Sequence, residues 1–463
     1  MMTDMHGYDC IIIGAGISGL STAYALAQRN ASLLVVEAQG HVGGALYSET
    51  TPDGFVLEHG TQTVSSNDPE VWQHFAQLGI DSACTTTDYQ RTYILLGGVL
   101  QPVPLSPLDF VRSPLLSPAA KLRMLAEPFL PRAVTADESV ATFFHRRLGS
   151  EVARHIVDPF VTGVYSGDPG ELSIRSLFPS LWELEQRHGS LAWGMLARAM
   201  RTNVGKAGRG RRKTFNFVQG LATWPRAIAN ALGEERVWLQ TQAVALKPAP
   251  HGWQVVVTRH GQPETLNAAT VVLAVPATVA AGLVSDLDET AARALQNVSY
   301  PPLAVVHLAY PRSAVAHRMD GIGMLCPTYE QSMTIGTLWM STIFPSHAPS
   351  GMVLTTAFVG GAAHPYIAAE SDETLVAMVK AEQQQLIGAR GEPALARVLR
   401  WSCSIPQYDA NHSWREGAYN RLEARWPRLY LLSNYRHGFS VEDCWKKGRH
   451  LGEHMVLHHS ESH

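Results

Sequence analysis

A chain of 463 residues that is 46% hydrophobic is long enough for two or three domains with cores of their own, and a formal net charge of −3 gives it no global attraction for nucleic acid. Its five cysteines, Cys10, Cys84, Cys326, Cys403 and Cys444, form no C-x-x-C pair and no histidine spacing, so neither a zinc module nor a disulfide framework is expected, and no structural metal is predicted. No apolar run is long enough to span a bilayer and "MMTDMHGYD" has no signal-like pattern, so the expected location is the cytoplasm or a membrane surface.

The first element is the apolar run "CIII" at 10–13, the pattern of a parallel strand buried on both faces. Gly14, Gly16 and Gly19 follow at G-x-G-x-x-G spacing, Ala23, Leu26 and Ala27 repeat at helical spacing, and "SLLVV" returns as a second strand ending at Glu37. That order is a βαβ dinucleotide site. Gly14 permits the turn, Gly16 lets backbone approach a pyrophosphate, and Gly19 lets helix pack on strand. The helix N-terminus offers amides to phosphate, and Glu37 accepts from ribose hydroxyls and disfavours a 2′-phosphate.

Gly43-Gly44, with Ser48 behind, resembles the second glycine turn of the flavin amine oxidase superfamily, in which the chain doubles back over the FAD pyrophosphate. The chain departs from that pattern at Ala45, where the family usually has Arg or Lys. The resemblance becomes specific to protoporphyrinogen oxidases of the oxygen-dependent FAD type. It runs in order through "GFVLEHGTQTVSS", "PFVTGVYSGDPGELSIRSLFPSLWELEQRHGSL", "KTFNFVQGLATWPRAIANALG", "GIGMLCP", "GTLWMSTIFPSHAPSG", "AFVGGA", "IPQYDANH" and "NYRHGFSVEDCWKKG". The stretch from Pro159 to Leu191 is its most diagnostic part.

An α/β architecture follows from this resemblance: a discontinuous Rossmann-type FAD-binding domain (1–85, 214–285 and 400–463), a mixed-sheet substrate domain (86–104 and 286–399), and an inserted helical, membrane-facing domain (105–213). It implies cofactor contacts at Gly14, Gly16, Ile17, Ser18, Gly19, Glu37, Ala38, Gly43, Gly44, Ala45, Gly60, Thr61, Val244, Ala274, Trp401, Ser433, Gly438, Phe439, Ser440 and Val441. Gly438 to Val441 are expected to turn a helix N-terminus toward the flavin pyrimidine. The FAD is expected to be non-covalent, because no cysteine stands in an S-G-G-C context.

The resemblance also implies removal of six electrons from protoporphyrinogen IX or coproporphyrinogen III in three hydride transfers, with oxygen as acceptor and hydrogen peroxide as product. A flexible, mostly apolar macrocycle with carboxylates on one side calls for an apolar pocket with few anion contacts, and no catalytic side chain is named. His59 and His412 stand beside family motifs, with structural hydrogen bonding as their commoner role. Gly163, Leu325 and Trp339 match pocket-lining positions, with core packing as the alternative. In "YQRTYILLGG" Thr92 stands where the family places a propionate-binding arginine, and Arg91 stands one residue earlier, on the other face of a strand unless a bulge re-aims it.

Proline-punctuated apolar helices between 105 and 213 end in the basic run "RTNVGKAGRGRRK", which suits either anionic lipid or solvent. Peripheral contact with the inner face of the cell membrane and a homodimer are the candidate assemblies, and no nucleic acid is expected. Two other functions stay open. One is a repurposed homologue acting on another amine, pyrrole or tetrapyrrole, suggested by Thr92, Ala45, Ser433 and Phe439; the other is a flavin-containing porphyrin carrier without turnover.

Overall fold

The computed structural model describes residues 7–89, 91–133, 137–202 and 212–456, backbone only at 201–202. Tyr8–Ile13 pairs in parallel with Leu33–Val36 on one side and with Gln262–Leu273 on the other. Val237–Trp238 extends one edge, and Leu429–Leu431 runs parallel to the end of Gln262–Leu273. The hairpin partners Gly252–Arg259 and Thr241–Ala249 complete the sheet in antiparallel pairing. The unbroken run of apolar residues has a direct cause. Ile11, Ile13, Leu34 and Val36 enter the core on one face, and Cys10, Ile12, Leu33 and Val35 enter the core on the other, so positions 10–13 and 33–36 are all buried. Helix Glu289–Gln296, past residue 285, also packs in the first of these cores through Ala291, Ala292 and Leu295.

A second sheet has the order Leu395–Trp401, Leu303–Pro311, Met352–Gly360, Thr334–Leu338, Gly323–Leu325, Thr92–Leu96, Val99–Pro102. It is antiparallel except where Gly323–Leu325 runs beside Thr92–Leu96. Between the two sheets' sequence segments lies a run of helices from Pro107 to Thr202. The Ser-Pro pairs explain where two of these helices start. Ser106 and Ser117 are N-caps, accepting at 3.1 Å from the Asp109 and Ala120 amides, and Pro107 and Pro118 occupy first-turn positions that need no donor. These helices share a core of Leu116, Val140, Phe143, Val161, Ile174 and Leu191. Among the described residues no helix is long and apolar enough to cross a membrane.

The last helix, Val441–His454, docks lengthwise on the first, Ile17–Ala27. A Cβ on Gly448 would lie 2.2 Å from the Ser18 carbonyl and one on Gly452 2.6 Å from the Thr22 carbonyl, so glycine at both places is what lets the backbones touch. Thr22 Oγ1 donates to the Gly448 carbonyl at 3.0 Å, and Arg29 donates to the carbonyls of Gly452 and Met455. Both contact pairs advance in the same direction, so the helices are parallel. Gly448→Ala is expected to cost about 1–3 kcal/mol of stability through this overpacking. Gly282→Ala, on an exposed helix face with no atom within 4 Å of the new Cβ, should be neutral or stabilising. Denaturant unfolding of the two variants side by side checks the contrast.

Candidate cofactor and substrate site

Gly14 ends the first strand at φ +105, with its Cβ position 2.4 Å from the Ala274 carbonyl, and a Cβ on Gly19 would lie 2.1 Å from the Gly14 carbonyl. Both glycines are therefore packing requirements. Gly16 differs: a Cβ there meets nothing within 4 Å. It is the N-cap of the first helix, with no side-chain cap and no acidic residue in the first turn, and among the described residues the amides of Ile17 and Ser18 have no hydrogen-bond partner.

The second glycine turn closes over this space. Gly43 bridges Gly16 in parallel, its amide donates to the Ala15 carbonyl at 2.8 Å, and a Cβ on Gly44 would sit 3.5 Å from Gly16 Cα. Gly43 at φ +109 and Gly44 at φ +58 adopt conformations that favour glycine. Glu37 accepts from the Ala15 amide at 2.8 Å and the Gln39 amide at 2.9 Å, which ties the acid to the glycine turn, with exposed Ala38 beside it. Val244 falls at a β-bulge between Ala243 and Ala245, which leaves it half-exposed and out of the ladder near the Glu37 end of the sheet. Ala45, Gly60, Thr61 and Trp401 also converge. Thr61 N–H donates to the Ala45 carbonyl at 3.1 Å, a Cβ on Gly60 would lie 2.6 Å from that same oxygen, and Trp401 Nε1 donates to the His59 carbonyl at 2.7 Å.

Parallel docking sets the length of the site. Gly448 touches Ser18, yet the last helix begins seven residues before Gly448 and the first helix only one before Ser18. At 1.5 Å per residue the last helix projects about 9 Å past the start of the first. Two helix N-termini thus stand in series, one for a pyrophosphate and one for a ring beyond it. Two helix N-termini in line, the paired glycine turns and the Glu37 carboxylate together fit a dinucleotide such as FAD.

At the N-terminus of the last helix, Ser440 is the N-cap and accepts from the Asp443 amide at 3.1 Å. Gly438, at φ +106, corrects one expectation: its amide donates to Tyr408 Oη at 3.0 Å and so is already used. Among the described residues, the amides of Phe439, Ser440 and Val441 have no hydrogen-bond partner. The Phe439 ring meets Tyr165 at 5.2 Å and Tyr408 at 5.6 Å, both edge-on, and Tyr408 stacks on His412 at 3.9 Å. Burial pushes His412 down to about 4, with Arg415 as the next cause, so it is a neutral packing partner near pH 7. Burial also lowers His59, against an opposing bond to Glu49.

On the substrate side, register assigns the faces. Arg397, His307, Thr356, Leu338, Gly323 and Thr92 lie in one cross-strand row. His307 reaches the Glu58 carbonyl at 3.1 Å, so this face looks toward the cofactor cradle. Thr92 and Leu325 share that face, and Leu325 Cδ2 lies 2.6 Å from the Cβ position of Gly163, where helix Asp158–Tyr165 packs down. Arg91 lies on the other face: it pairs with Asp320 at 2.7 Å, and Tyr93 Oη donates to Asp320 at 2.7 Å. The register from Thr92 to Ile94 runs without a bulge, so nothing re-aims Arg91.

Trp339 is not brought to this face. It is fully buried with Tyr93 at 5.4 Å and His317 at 4.8 Å in the core behind the sheet, because its position directly after Leu338 turns its ring to the opposite side. Sequence reasoning missed Tyr165, Tyr408 and the half-exposed Phe160 and Val164, which sit on or beside helix Asp158–Tyr165 and the Phe439 ring. An i, i+4 pair of apolar residues around Gly163 was the available signal for the last two.

Gly16→Glu should abolish flavin binding while leaving the fold intact, since the new side chain enters space that the protein itself does not fill. Gly19→Glu, against backbone at 2.1 Å, should instead fail to give soluble folded protein. Flavin absorbance and circular dichroism of the purified variants separate the two results.

Residues 17–451 match the family model described as flavin containing amine oxidoreductase. Among curated relatives, the mitochondrial protoporphyrinogen oxidase of Nicotiana tabacum is 31% identical, covering 97% of this chain and 95% of its own. The coproporphyrinogen III oxidase of Bacillus subtilis (strain 168) is 28% identical, covering 95% and 96%. In fold, the chain is similar to a solved structure from Exiguobacterium sp. 255-15 named provisionally as a protoporphyrinogen oxidase, at TM-score 0.79 and 22% identity over 96% of this chain and 97% of that one. It is similar also to cyclohexylamine oxidase from Brevibacterium oxydans IH-35A, at TM-score 0.67 and 18% identity over 96% and 99%. With the match running from the first helix of the cradle to the last helix beside it, the chain belongs to the flavin containing amine oxidoreductases, and its cofactor is FAD.

Proposed function

We propose that this FAD-dependent oxidoreductase oxidises a porphyrinogen, protoporphyrinogen IX or coproporphyrinogen III, to the porphyrin in tetrapyrrole biosynthesis. The observation that carries the reading is an apolar set on and beside helix Asp158–Tyr165: Gly163 packs on Leu325, Tyr165 meets the Phe439 ring at the N-terminus of the last helix, and Phe160 and Val164 are exposed on the same helix. The names of the Nicotiana and Bacillus relatives, which align over nearly their whole lengths, support the same substrate class.

Bound FAD would take an electron pair as hydride and return it to oxygen as hydrogen peroxide, three times per porphyrinogen. The protein's part is to orient the macrocycle and to keep water out. Gly163 keeps helix Asp158–Tyr165 low on Leu325, which flattens this apolar surface to suit a planar product. Tyr165 and Tyr408 hold the Phe439 ring edge-on from two sides, a rigid apolar wall that costs little side-chain entropy on binding. His412 and His307, the latter pushed down to about 3 by burial, stay neutral: His412 stacks on Tyr408, and His307 is a hydrogen-bonding support between Thr356 and the Glu58 carbonyl.

A specific observation favours the second reading, a repurposed homologue acting on another amine, pyrrole or tetrapyrrole. With Thr92 on the cofactor-facing side and Arg91 turned to Asp320, the arginine that the protoporphyrinogen oxidase resemblance implies for a propionate is missing from this face of the strand. A charge-assisted contact is worth on the order of 1.5–3 kcal/mol.

We further propose peripheral attachment, on the cytoplasmic side, to the inner face of the cell membrane. Leu108, Val111, Leu122, Leu125 and Phe129 are exposed on neighbouring helices, with Phe129 85% exposed and Arg112 and Lys121 alongside, an apolar and cationic face suited to anionic lipid. Most of the basic run from 201 to 213 lies outside the described residues. The purified protein should co-sediment with vesicles containing anionic lipid. A soluble homodimer by light scattering with no sedimentation would assign the face to a second copy instead.

Anaerobic protoporphyrinogen IX or coproporphyrinogen III should bleach the flavin of the holoenzyme, and air should then yield fluorescent porphyrin and peroxide; no bleaching by either hands the site to the second reading. Thr92→Arg should lower KM for the porphyrinogen by roughly tenfold or more with kcat little changed, since a remote anchor contributes uniform binding. Arg91→Ala should leave steady-state kinetics almost unmoved.

A further inference from the structure

The last helix carries two adjacent lysines with opposite fates. Lys446 points outward to Asp68 at 2.7 Å and Glu442 at 2.6 Å. Lys447 points inward, and its ammonium donates to the carbonyl oxygens of Ser433 at 3.1 Å, Gly438 at 2.6 Å and Arg436. These three oxygens belong to the loop that leads into the N-terminus of the helix. Among the described residues no carboxylate lies within ion-pair distance of Lys447. The acids nearest in charge are engaged elsewhere, Asp443 with Ser440 and Glu416 with Arg436 and His437.

Two consequences follow from elementary chemistry. In a trans peptide the C=O of one residue and the N–H of the next point in opposite directions. Drawing the oxygens of Ser433, Arg436 and Gly438 inward therefore turns the N–H groups of Asn434, His437 and Phe439 outward, and among the described residues none of the three has a hydrogen-bond partner. His437 at φ +51 and Gly438 at φ +106 are the left-handed positions this orientation requires, and His437 is not a glycine. Second, an ammonium held only by neutral carbonyls keeps its full positive field, where a paired lysine would lose most of it. Burial lowers the Lys447 affinity for its proton, so the charge is maintained at a cost in folding stability that a methionine of similar length would avoid.

We propose that Lys447 is a positioning residue for FAD: it aims the amides of Asn434, His437 and Phe439 at the pyrimidine end of the ring and places an unpaired positive charge behind them. The inference rests on FAD lying along the two helix N-termini and is independent of which substrate is oxidised. Negative charge gathers at the pyrimidine when the cofactor is reduced, so the lysine favours the reduced over the oxidised form.

The test uses full-length Lys447→Met and Lys447→Gln, compared with wild type by FAD titration of the apoprotein, the two-electron midpoint potential of the holoprotein, and thermal melting of the apoprotein. Lys447→Met should weaken FAD binding at least tenfold and lower the potential, by about 30 mV for each tenfold loss of preference for the reduced form. Lys447→Gln, which keeps donors for two carbonyls, should recover much of the affinity but not the potential. If Lys447→Met does not fold, the Gln variant alone decides on its potential. A lower apoprotein melting temperature with unchanged FAD affinity and potential would reduce the lysine to a structural prop and overturn the proposal. Phe439→Ala serves as the control for cofactor placement. An unchanged flavin spectrum there would put the ring elsewhere and overturn the proposal from that side, whereas a shifted spectrum with an unmoved potential in Lys447→Gln would overturn the lysine's role alone.

Discussion

The close approach of the last helix to the first, through Gly448 and Gly452, is the contact on which the site depends. Each helix end offers a partial positive charge and unpaired amides, but one N-terminus reaches only one part of an extended cofactor. A parallel pair offset by about a turn and a half presents two such ends along one line. A larger residue at Gly448 would separate the backbones and move the second N-terminus away from the first. The covalent distance between residues 27 and 441 is therefore irrelevant to the cradle: what fixes it is a short contact between Ser18 and Gly448, reinforced by Thr22 and Arg29.

The second sheet is tied to this frame through buried polar groups. Glu58 accepts from Ser48 at 2.6 Å, from Asn216 at 2.9 Å and from the Leu221 amide at 2.8 Å, while its own carbonyl meets His307. Burial pushes the Glu58 carboxyl up to about 7, against the lowering effect of those bonds, because no cation touches it directly. Such a group joins three chain segments by geometry rather than by charge. It brings the strand row ending at Thr92 into a fixed relation with Gly60 and the glycine turn. Gly220, at φ +86, is needed beside it because a side chain there would enter the Ser48–Glu58 contact.

The legible part of the fold and site is the part in which a residue's role depends on neighbours close in sequence. The turn at Gly14, the open position at Gly16, the second glycine pair and the parity of Arg91 against Thr92 are local properties of backbone, and the structure has each where spacing puts it. Trp339 is ambiguous in the sequence because it follows a strand by one residue, and only the sheet's orientation tells which side a ring takes there. The Gly438 amide looks available until its competitor, Tyr408, arrives from thirty residues away. Helix Glu289–Gln296 cannot be assigned to a layer from its own pattern, since an alanine-rich face packs equally well on either sheet. Lys447 stands inside the motif "NYRHGFSVEDCWKKG" and still gives no signal, because two consecutive lysines on a helix differ by about 100° in direction and only the packing of that helix decides which is buried.

The departures from the family pattern are not distributed at random over the site. Ala45, Thr92 and Phe439 are side-chain departures beside the glycine turn, on the second sheet and at the last helix, and Ser433 stands in the loop before that helix where the resemblance implies a glycine; Gly14, Gly16, Gly19, Gly43 and Gly44 of the two glycine turns are present. Backbone positions tolerate little, because a Cβ at Gly14 or Gly19 meets a carbonyl at 2.4 Å or 2.1 Å. Side chains at Ala45, Thr92 and Phe439 do not set the backbone path of the cradle. Phe439 fills the angle between Tyr165 and Tyr408 with an aromatic ring, which couples a helix of the 107–202 region to the N-terminus of the last helix. Under the proposed function, a hydroxyl in place of a carboxylate anchor at Thr92 and an aromatic ring at Phe439 would shift recognition in the same direction, from charge toward the apolar face of the substrate.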